Sequence, residues 1–458
     1  MEQPNSRRAQ DRSSSGNEST GLQRVREAAT EDRELQFTTL LHHVTVELLA
    51  QSYRKLNRDA APGVDGVTWK EYGDGLEEKL KDLQDRIHRG AYRPQPSLRR
   101  WIPKADGRQR PLGIAALEDK IVQAAVAEVL NQIWEVDFLG FSYGFRPGRK
   151  QHDALDALSV GILRKKVNWV LDADIRGFFD NIDQEWMIQF VEHRIGDRRV
   201  VRLIQRWLKA GVLEEGKWAE VEAGTPQGAV ISPILANLYL HYVLDLWVDA
   251  WREKVAYGDV IIVRYADDFV MGFQYREEAE KFLEQLRERM RKFKLELHPE
   301  KTRLIEFGRY AQINRKKRGE GRPETFNFLG FTHICGTNHK TGNFNVKRKT
   351  IGKKMAAKLG AIRQKLRQRM HDGVPATLKW LQSVVRGYFQ YHAIPDNWKR
   401  MQAFRREVAR AWWAQLRRRS QRRRWTWAKF WMRLGNLLPE VKIIHPYPLE
   451  RFNVRYPR

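Results

Sequence analysis

Cysteine is nearly absent from this chain of 458 residues, because Cys335 is the only one. A single thiol excludes an internal disulfide and a zinc cluster built on cysteines. The N-terminus has no secretory pattern. Long apolar runs are also missing, since the nearest candidate, at 229–242, contains Asn237 and His241 and is soon followed by Asp245. The sequence therefore predicts a cytoplasmic protein without a membrane-spanning segment.

Acidic residues are scarce relative to basic ones. The chain has 83 Lys and Arg against 56 Asp and Glu, which gives a formal net charge of +27. A field of this sign attracts phosphate polymers, and the affinity for them falls steeply with salt. The length allows a large core and several domains. We therefore expect a nucleic-acid-binding protein that associates with the nucleoid.

Two adjacent acids stand at a predicted β-hairpin. Asp267 and Asp268 end the motif YADD at 265–268, between the apolar runs at 260–263 and 269–271, and this pattern is typical of two strands joined by a tight turn. Neighbouring carboxylates raise each other's pKa, so a site that keeps both ionised needs a cation such as Mg²⁺. Aspartate is also common at turns because it tolerates left-handed backbone, which is the simpler interpretation of the hairpin alone.

A second acidic segment favours the metal site. Asp172 and Asp174 belong to the predicted strand VLDADI at 170–175, and they point the same way because strand side chains alternate between faces. Two acidic strand ends that face each other would hold two metal ions about 4 Å apart, the arrangement that serves in-line phosphoryl transfer.

Further short motifs follow one another along the chain after about Tyr53. They are RWIPK at 100–104, RPLGI at 110–114, SYGFRPG at 142–148, GTPQG at 224–228, ISP at 231–233, YADD at 265–268 and FLGF at 328–331. Together they resemble the reverse transcriptases encoded by bacterial group II introns. The resemblance implies an α+β fold shaped as a right-hand polymerase, with fingers, a palm built on an antiparallel sheet, a helical thumb and a basic helical C-terminal segment.

The resemblance also implies a division of the chain into domains. Residues 1–34 are polar and are expected to form a disordered leader. Residues 35–93 correspond to an N-terminal extension that grips template RNA, and 94–331 to the fingers and palm. After Phe331 we expect a helical, very basic chain, with 332–395 as the thumb and maturase region and 396–458 as a DNA-binding segment.

Three aspartates are assigned the catalytic role by the resemblance. Asp174, Asp267 and Asp268 are the expected catalytic residues and ligands of two Mg²⁺ ions. Asp172 is the competing ligand. Asp174 is preferred because its spacing to Phe178 and Phe179 matches the motif of the family.

Phe179 is expected to select the sugar of the incoming nucleotide. In the similar enzymes an aromatic side chain at this position lies under the sugar and collides with a 2′ hydroxyl, so the substrates would be dNTPs. The alternative is that Phe178 and Phe179 are both core residues, and we expect this of one of them.

Four polar side chains are further candidates for nucleotide binding. Lys104 and Arg110 flank a turn at 105–107 and would reach the triphosphate, although such basic turns are often only solvated loops. Gln227 would hydrogen-bond the nucleotide beside Gly228, which allows close backbone approach. Lys301 is a weaker triphosphate candidate, for which a plain surface lysine is an equal alternative.

The segment 350–370 combines apolar residues at helical spacing with basic residues on other faces, and it contains no acid. A solvated helix usually carries both acidic and basic side chains, so a helix with basic side chains alone indicates a polyanion-binding surface. A membrane surface is the alternative, and the polymerase context favours the thumb. The candidate nucleic-acid contacts here are Lys353, Lys354, Lys358 and Arg363.

The C-terminal part carries Arg422, Arg423 and Arg424 near five tryptophans. Arginine forks bind phosphate and indoles stack on unpaired bases, although several of these tryptophans are expected in the core. The tryptophans are Trp412, Trp413, Trp425, Trp427 and Trp431. Members of the family often append a metal-dependent endonuclease, but this chain ends at Arg458 without one. We therefore expect it to use a pre-existing 3′ end, such as a nascent strand at a replication fork.

Three functions fit these observations. The first is a group II intron reverse transcriptase with maturase activity, whose partners would be its intron RNA, a DNA target and primer, and dNTPs. The second is a similar enzyme adopted by the host for defence or repair. The third, a splicing factor with an inactive polymerase, is disfavoured because Asp174, Asp267 and Asp268 are all present. The sequence leaves the oligomeric state open.

Overall fold

Helices and strands are interspersed throughout the part of the chain that the structure describes. The computed structural model describes residues 21–103, 109–214, 217–219, 224, 228–338, 341–419 and 426–455. Its helices are α1 (21–31), α2 (Val46–Lys55), α3 (Trp69–Gly73), α4 (Leu76–His88), α5 (Leu117–Asp137), α6 (Gln151–Arg164), α7 (Phe178–Asn181), α8 (Gln184–Arg194), α9 (Arg198–Lys209), α10 (Ser232–Leu240), α11 (Leu246–Lys254), α12 (Arg276–Lys292), α13 (Ala311–Lys317), α14 (Gly352–Gln368), α15 (Val374–His392), α16 (Trp398–Arg419), α17 (Trp427–Arg433) and α18 (Pro448–Arg455). Within the described ranges, none of these helices is long and apolar enough to cross a membrane.

The strands form three sheets. The strands are β1 (Ser97–Pro103), β2 (Gln109–Ile114), β3 (Trp169–Asp174), β4 (Val212–Glu214), β5 (Lys217–Ala219), β6 (Val260–Tyr265), β7 (Asp268–Phe273), β8 (Arg303–Glu306), β9 (Phe326–Phe328), β10 (Phe331–Thr337) and β11 (Phe344–Thr350). The first sheet has the order β2-β1-β4-β5, the central sheet β6-β7-β3-β8 and the third sheet β11-β10-β9. The fold is therefore of the mixed α+β class.

The predicted disordered leader is wrong for its last third. Residues 21–31 form α1, which buries Val25 and Ala29 in the same core as Leu40 and Ile195. Val25 and Ala29 are four positions apart, so they lie on one helical face and both reach this core. This apolar stripe is too short to stand out in the average composition of a polar segment. Residues 1–20 lie outside the described part of the chain.

Helices α2 to α5 form an apolar unit at the N-terminal side. Helix α5 runs from Leu117 to Asp137, and α2 and α4 pack their buried leucines into the same core. Residues 61–66 form a loop before α3, in which Gly66 has a left-handed φ of 69°. An added side chain at Gly63 would lie 2.6 Å from the Ala116 backbone, so this loop fits closely against the start of α5.

The central sheet separates two hydrophobic cores. All of its strand pairs are antiparallel. Leu171 and Phe269 pack on one face in a core that includes α8, α10 and α12. Val170 and Val270 pack on the opposite face, against the third sheet. Because strand side chains alternate, Asp172 and Asp174 project from this second face.

The expectation of a helical chain directly after Phe331 is wrong. Strands β10 and β11 come first, paired antiparallel from Phe331 opposite Thr350 to Thr337 opposite Phe344. In β11 the buried Val346 and Arg348 alternate with more exposed basic residues. Three consecutive basic residues, Lys347, Arg348 and Lys349, hide the alternation that marks a half-buried strand, and this explains the error.

Helices α14 to α17 form a separate core at the C-terminal side. Leu359, Ile362 and Leu366 of α14 pack there with the fully buried Trp412 of α16. Trp412 is thus one of the tryptophans that belong to the core, as the sequence led us to expect.

The last described helix, α18, returns to the middle of the chain and packs on α6. Arg451 forms an ion pair with Asp156, and Asn453 accepts a hydrogen bond from Arg164 at 3.0 Å. The end of the predicted DNA-binding segment is therefore engaged with α6.

Candidate active site

The turn between β6 and β7 carries the acidic pair. Tyr265 pairs with Asp268 across the hairpin, which leaves Ala266 and Asp267 as the turn. Ala266 has a left-handed φ of 57°, a conformation that an alanine adopts only where its surroundings hold it. The predicted hairpin is thus present, with Asp267 at its tip.

The register of the central sheet brings the second acidic strand to this turn. Asp174, the last residue of β3, lies directly opposite Asp268, the first residue of β7. Directly opposed residues of an antiparallel pair project from the same face with close Cβ atoms. Asp172 lies two residues before Asp174 on the same face. Four carboxylates from two strands and a turn are therefore gathered at one edge of the sheet.

The proximity of these carboxylates affects how readily two of them ionise. Burial, and after it the charges of Asp172, Asp267 and Asp174, together raise the pKa of Asp268 to about 7, while Lys354 of α14 opposes them. Burial and the charge of Asp174 raise the pKa of Asp172 to about 6, against the opposing effect of Arg303. The neighbouring carboxylates thus make it harder for Asp268 and Asp172 to ionise.

Basic side chains contact two of the carboxylates. The Lys301 ammonium lies 2.5 Å from an Asp174 oxygen, and the Arg303 guanidinium lies 3.5 Å from Asp172. Among the described residues, no three His, Cys, Asp or Glu side chains are placed so that, as they stand, they could hold a metal ion together. The donor set nevertheless fits Mg²⁺, because carboxylate oxygens are the ligands that Mg²⁺ prefers and a cation would relieve the repulsion around Asp268.

The two neighbouring phenylalanines differ in their environment. Phe178 is a core residue, whereas Phe179 is half-buried. Gly224 lies against the backbone of Phe179, since an added side chain there would meet the Phe179 carbonyl oxygen at 2.6 Å. The start of the GTPQG motif is therefore packed beside Phe179, and the expectation that one of the two phenylalanines belongs to the core is correct.

The remaining nucleotide-binding candidates fall largely outside the described residues. Lys104 and Gln227 are outside them, and only the backbone of Arg110 is described, paired with Ile102 in the β1–β2 hairpin. Gly228 lies where an added side chain would meet the Gly113 carbonyl oxygen of β2 at 2.6 Å. The last glycine of the GTPQG motif therefore lies close to β2.

The basic face of α14 is exposed. Lys353, Lys354, Lys358 and Arg363 all lie on the surface. Lys354 is close enough to Asp268 to lower its pKa, so the start of α14 faces the carboxylates. Arg363 is partly neutralised by Glu407 of α16 at 3.6 Å. Arg422, Arg423 and Arg424 lie outside the described residues.

Sequence reasoning missed a buried ion pair behind the hairpin. Arg264 and Asp245 have no exposed side-chain surface and lie 2.5 Å apart. A weak signal existed, because Arg264 is the one charged residue in the apolar run before YADD, and Asp245 interrupts an apolar helical segment. Neither position reveals the other as its partner.

Comparison with known proteins agrees with this geometry. The family model for reverse transcriptase (RNA-dependent DNA polymerase) matches residues 102–333, half of the chain. The protein YkfC of Escherichia coli strain K12 is 34% identical over 318 residues, which cover 60% of this chain and 81% of YkfC.

Two other relatives have names that refer to introns. The group II intron-encoded protein LtrA of Lactococcus lactis subsp. cremoris is 35% identical over 51% of this chain, but the match spans only 40% of LtrA. The mitochondrial nuclear intron maturase 1 of Arabidopsis thaliana is 27% identical over 20% of this chain and 13% of its own length. From the family model and the nearly full-length match to YkfC, we conclude that this chain belongs to the reverse transcriptase (RNA-dependent DNA polymerase) family.

Proposed function

We propose that this protein copies RNA into DNA at the carboxylate cluster of the central sheet, and that it is a group II intron reverse transcriptase that also assists splicing as a maturase. In this proposal the central sheet is the palm, the β1–β2 hairpin belongs to the fingers, and α14 to α16 form the thumb. The observation that carries it is the register of β3 and β7, which sets Asp174 opposite Asp268 beside the turn with Asp267.

Asp174, Asp267 and Asp268 are the proposed Mg²⁺ ligands. Asp174 is favoured over Asp172 because it ends its strand with 37% of its side chain exposed, whereas Asp172 is 17% exposed and paired with Arg303. When bound, Mg²⁺ neutralises charge on the attacking and leaving oxygens of nucleotidyl transfer. The carboxylates hold the metal, and the strand pairing keeps them at one edge of the sheet.

Phe179 and Lys301 are proposed to contact the incoming nucleotide. Phe179 follows the last residue of β3 by five positions and is half-buried and backed by Gly224; in this proposal it excludes a 2′ hydroxyl and so selects dNTPs. Lys301 would leave Asp174 and bind the triphosphate once metal is bound, because Asp174 and the triphosphate are both anionic and the metal would neutralise Asp174. Lys104, Arg110 and Gln227 are proposed to complete this pocket.

The primer and template are proposed to lie along α14. The exposed Lys353, Lys354 and Lys358 form a basic face, and its first turn approaches Asp268. A duplex on this face would present its growing end to the carboxylates. The phosphates of the duplex would neutralise these lysines, as acidic side chains usually do on a solvated helix.

The maturase role is supported by the named relatives and by charge. LtrA is a group II intron-encoded protein and the Arabidopsis relative is an intron maturase, while the net charge of +27 suits a long RNA partner. Sequencing the RNA that copurifies with the protein tests this role. Recovery of a self-splicing group II intron supports it, and copurified RNA without such an intron contradicts it.

Primer extension on an RNA template tests the polymerase. Asp267→Asn should reduce Mg²⁺-dependent DNA synthesis to background while RNA binding is retained, because a metal ligand is lost and the basic surfaces are unchanged. Asp259→Asn, at the opposite end of the same hairpin, is the matched control and should remain active. Polymerisation by Asp267→Asn at the wild-type rate would contradict the assignment.

A further inference from the structure

Arg264 of β6 lies in a completely buried network directly behind the acidic turn. Its Nε donates to Asp245 Oδ1 at 2.7 Å and its Nη2 to Asp245 Oδ2 at 2.5 Å, a two-bond contact between planar groups. A buried ion pair is a poor source of stability, because desolvation of both charges offsets their attraction. The other contacts of this arginine show what else it does.

The remaining nitrogen of Arg264 reaches the turn itself. Nη1 donates to the Ala266 carbonyl oxygen at 2.9 Å and to Asn237 Oδ1 at 3.0 Å. Ala266 is the left-handed residue that immediately precedes Asp267. A hydrogen bond to its carbonyl fixes the peptide that joins Ala266 to Asp267, so the guanidinium acts on the backbone orientation of the turn.

A second contact supports the turn from the other side. Asn237 Nδ2 donates to the Gly144 carbonyl oxygen at 2.7 Å, and Gly144 sits so close to the turn that an added side chain would lie 2.2 Å from the Ala266 nitrogen. The motif SYGFRPG thus lies against the acidic hairpin, where only glycine fits. The side-chain amide of Asn237 contacts both Gly144 and Arg264, so it connects the two groups that support the turn.

The partner Asp245 comes from an unusual helical segment. The run from His241 to Asp245 is π-helical and joins α10 to α11. Such single wider turns are rare and are often found at functional sites. Here the π-helical turn carries the carboxylate that neutralises Arg264, so the helix that holds Asn237 also supplies the counter-charge.

We infer that Arg264 is a positioning residue for polymerisation, because it holds the left-handed turn at Ala266 in the orientation that places Asp267 and Asp268 beside Asp174. This inference rests on the proposed polymerase function. The role requires the planar fork of arginine, since Nε and Nη2 engage Asp245 while Nη1 is directed at the turn. Lysine at this position keeps the charge for Asp245 but lacks the fork.

A second buried arginine provides a matched control. Arg348 of β11 and Asp156 of α6 are each only 2% exposed and lie 3.2 Å apart. This pair joins the third sheet to α6 and α18. Replacing either buried arginine with lysine disturbs a desolvated ion pair, and we expect a comparable loss of stability from Arg264→Lys and Arg348→Lys. The two variants differ in whether the disturbed pair supports the acidic turn.

The experiment compares full-length wild type, Arg264→Lys and Arg348→Lys by three measurements. Thermal unfolding reports stability, and amide hydrogen exchange without Mg²⁺ reports the backbone at 265–268. Primer extension gives kcat, the KM for dNTP and the Mg²⁺ concentration at half-maximal rate. Arg264→Lys should exchange faster at the turn, need more Mg²⁺ and lose about tenfold or more in kcat, as is typical when support of a metal ligand is removed, with little change in KM. Arg348→Lys should match the wild type in exchange at the turn, in Mg²⁺ requirement and in kcat.

Equal exchange at 265–268 in both variants, or equal kcat per folded molecule, would overturn the inference. Wild-type protein that synthesises no DNA would contradict the proposed function, while the exchange comparison would still decide whether Arg264 holds the turn. Where Arg264→Lys does not fold, Asn237→Ser takes its place. This variant leaves the ion pair between Arg264 and Asp245 intact, but the short serine side chain cannot bridge Arg264 and Gly144. It should change exchange and kcat in the same direction.

Discussion

Replacing Asp268 with asparagine isolates the electrostatics of the carboxylate cluster, because the change removes one negative charge and keeps the shape of the side chain. Burial and the charges of Asp172, Asp267 and Asp174 raise the pKa of Asp268 to about 7, against an ordinary value of 3.8. The ionised form is therefore disfavoured in the folded protein. We expect Asp268→Asn to be more stable than the wild type at neutral pH without metal, although it is inactive.

The size of the effect follows from the pKa. The difference between about 7 and 3.8, at about 1.4 kcal/mol per pH unit, corresponds to about 4 kcal/mol. Salt screens part of the repulsion, so we expect a gain of about 2 to 4 kcal/mol at pH 7. The sign depends on pH. Between pH 4 and 7 the unfolded chain releases this proton before the folded one does, so wild-type stability falls as pH rises, and Asp268→Asn lacks this slope.

Denaturant unfolding in the presence of EDTA measures this effect at pH 7 and at pH 4.5, where the gain should fall to about 1 kcal/mol or less. Asp259→Asn is a control of opposite sign, because hydrogen bonds from the Lys166 backbone and Lys165 lower the pKa of Asp259, and its replacement should destabilise the protein at pH 7. Mg²⁺ should stabilise the wild type more than Asp268→Asn. An Asp268→Asn protein no more stable than wild type at pH 7 would refute the electrostatic argument.

Three further predictions follow from the structure. Phe179→Ala should increase ribonucleotide incorporation in primer extension, and unchanged sugar discrimination would make Phe179 a packing residue only. Alanine at Lys353, Lys354 and Lys358 of α14 should weaken binding of a primer–template duplex and reduce the salt slope by about 1 for each lysine that binds a phosphate; an unaltered slope would remove this face of α14 from the interface. Burial lowers the pKa of His152 and His333 to about 3 and that of His241 and His392 to about 4. Between pH 6.5 and 5.5 only the unfolded chain therefore takes up these protons, and the free energy of unfolding should fall by about 1 kcal/mol for each of these histidines. A flat denaturation profile over this range would contradict that.

The acidic hairpin could be predicted because local rules determine it, and the approach of β3 to it was expected from the two acidic segments and from the family resemblance. Alternation of side chains sets which carboxylates share a face. The local rules failed in two places. Val25 and Ala29 of α1 are too few to mark a polar segment as folded, and in β11 the consecutive basic residues Lys347, Arg348 and Lys349 hide the alternation of buried and exposed side chains.

The ion pairs of the site could not be predicted, because their partners are far apart in sequence. Lys301 contacts Asp174 across 127 positions, and Arg264 contacts Asp245 across 19. The sequence shows a charged residue in an apolar segment, which indicates a buried partner without naming it. The partner is determined by how α10, α11 and β6 pack, and this depends on the whole core.

The cations around the carboxylate cluster come from different parts of the fold. Arg303 belongs to β8, Lys301 to the segment before it and Lys354 to α14, so the balance of charge at Asp268 depends on how α14 sits on the central sheet. A bound metal ion would add positive charge near Asp268, and a bound triphosphate would add negative charge. Under the proposed function, Asp174 and Asp268 would hold Mg²⁺, which would neutralise their charge and leave Lys301 and Lys354 available to phosphates. The side chains that offset repulsion in the free protein would then bind the substrate, which couples metal loading to nucleotide and primer binding.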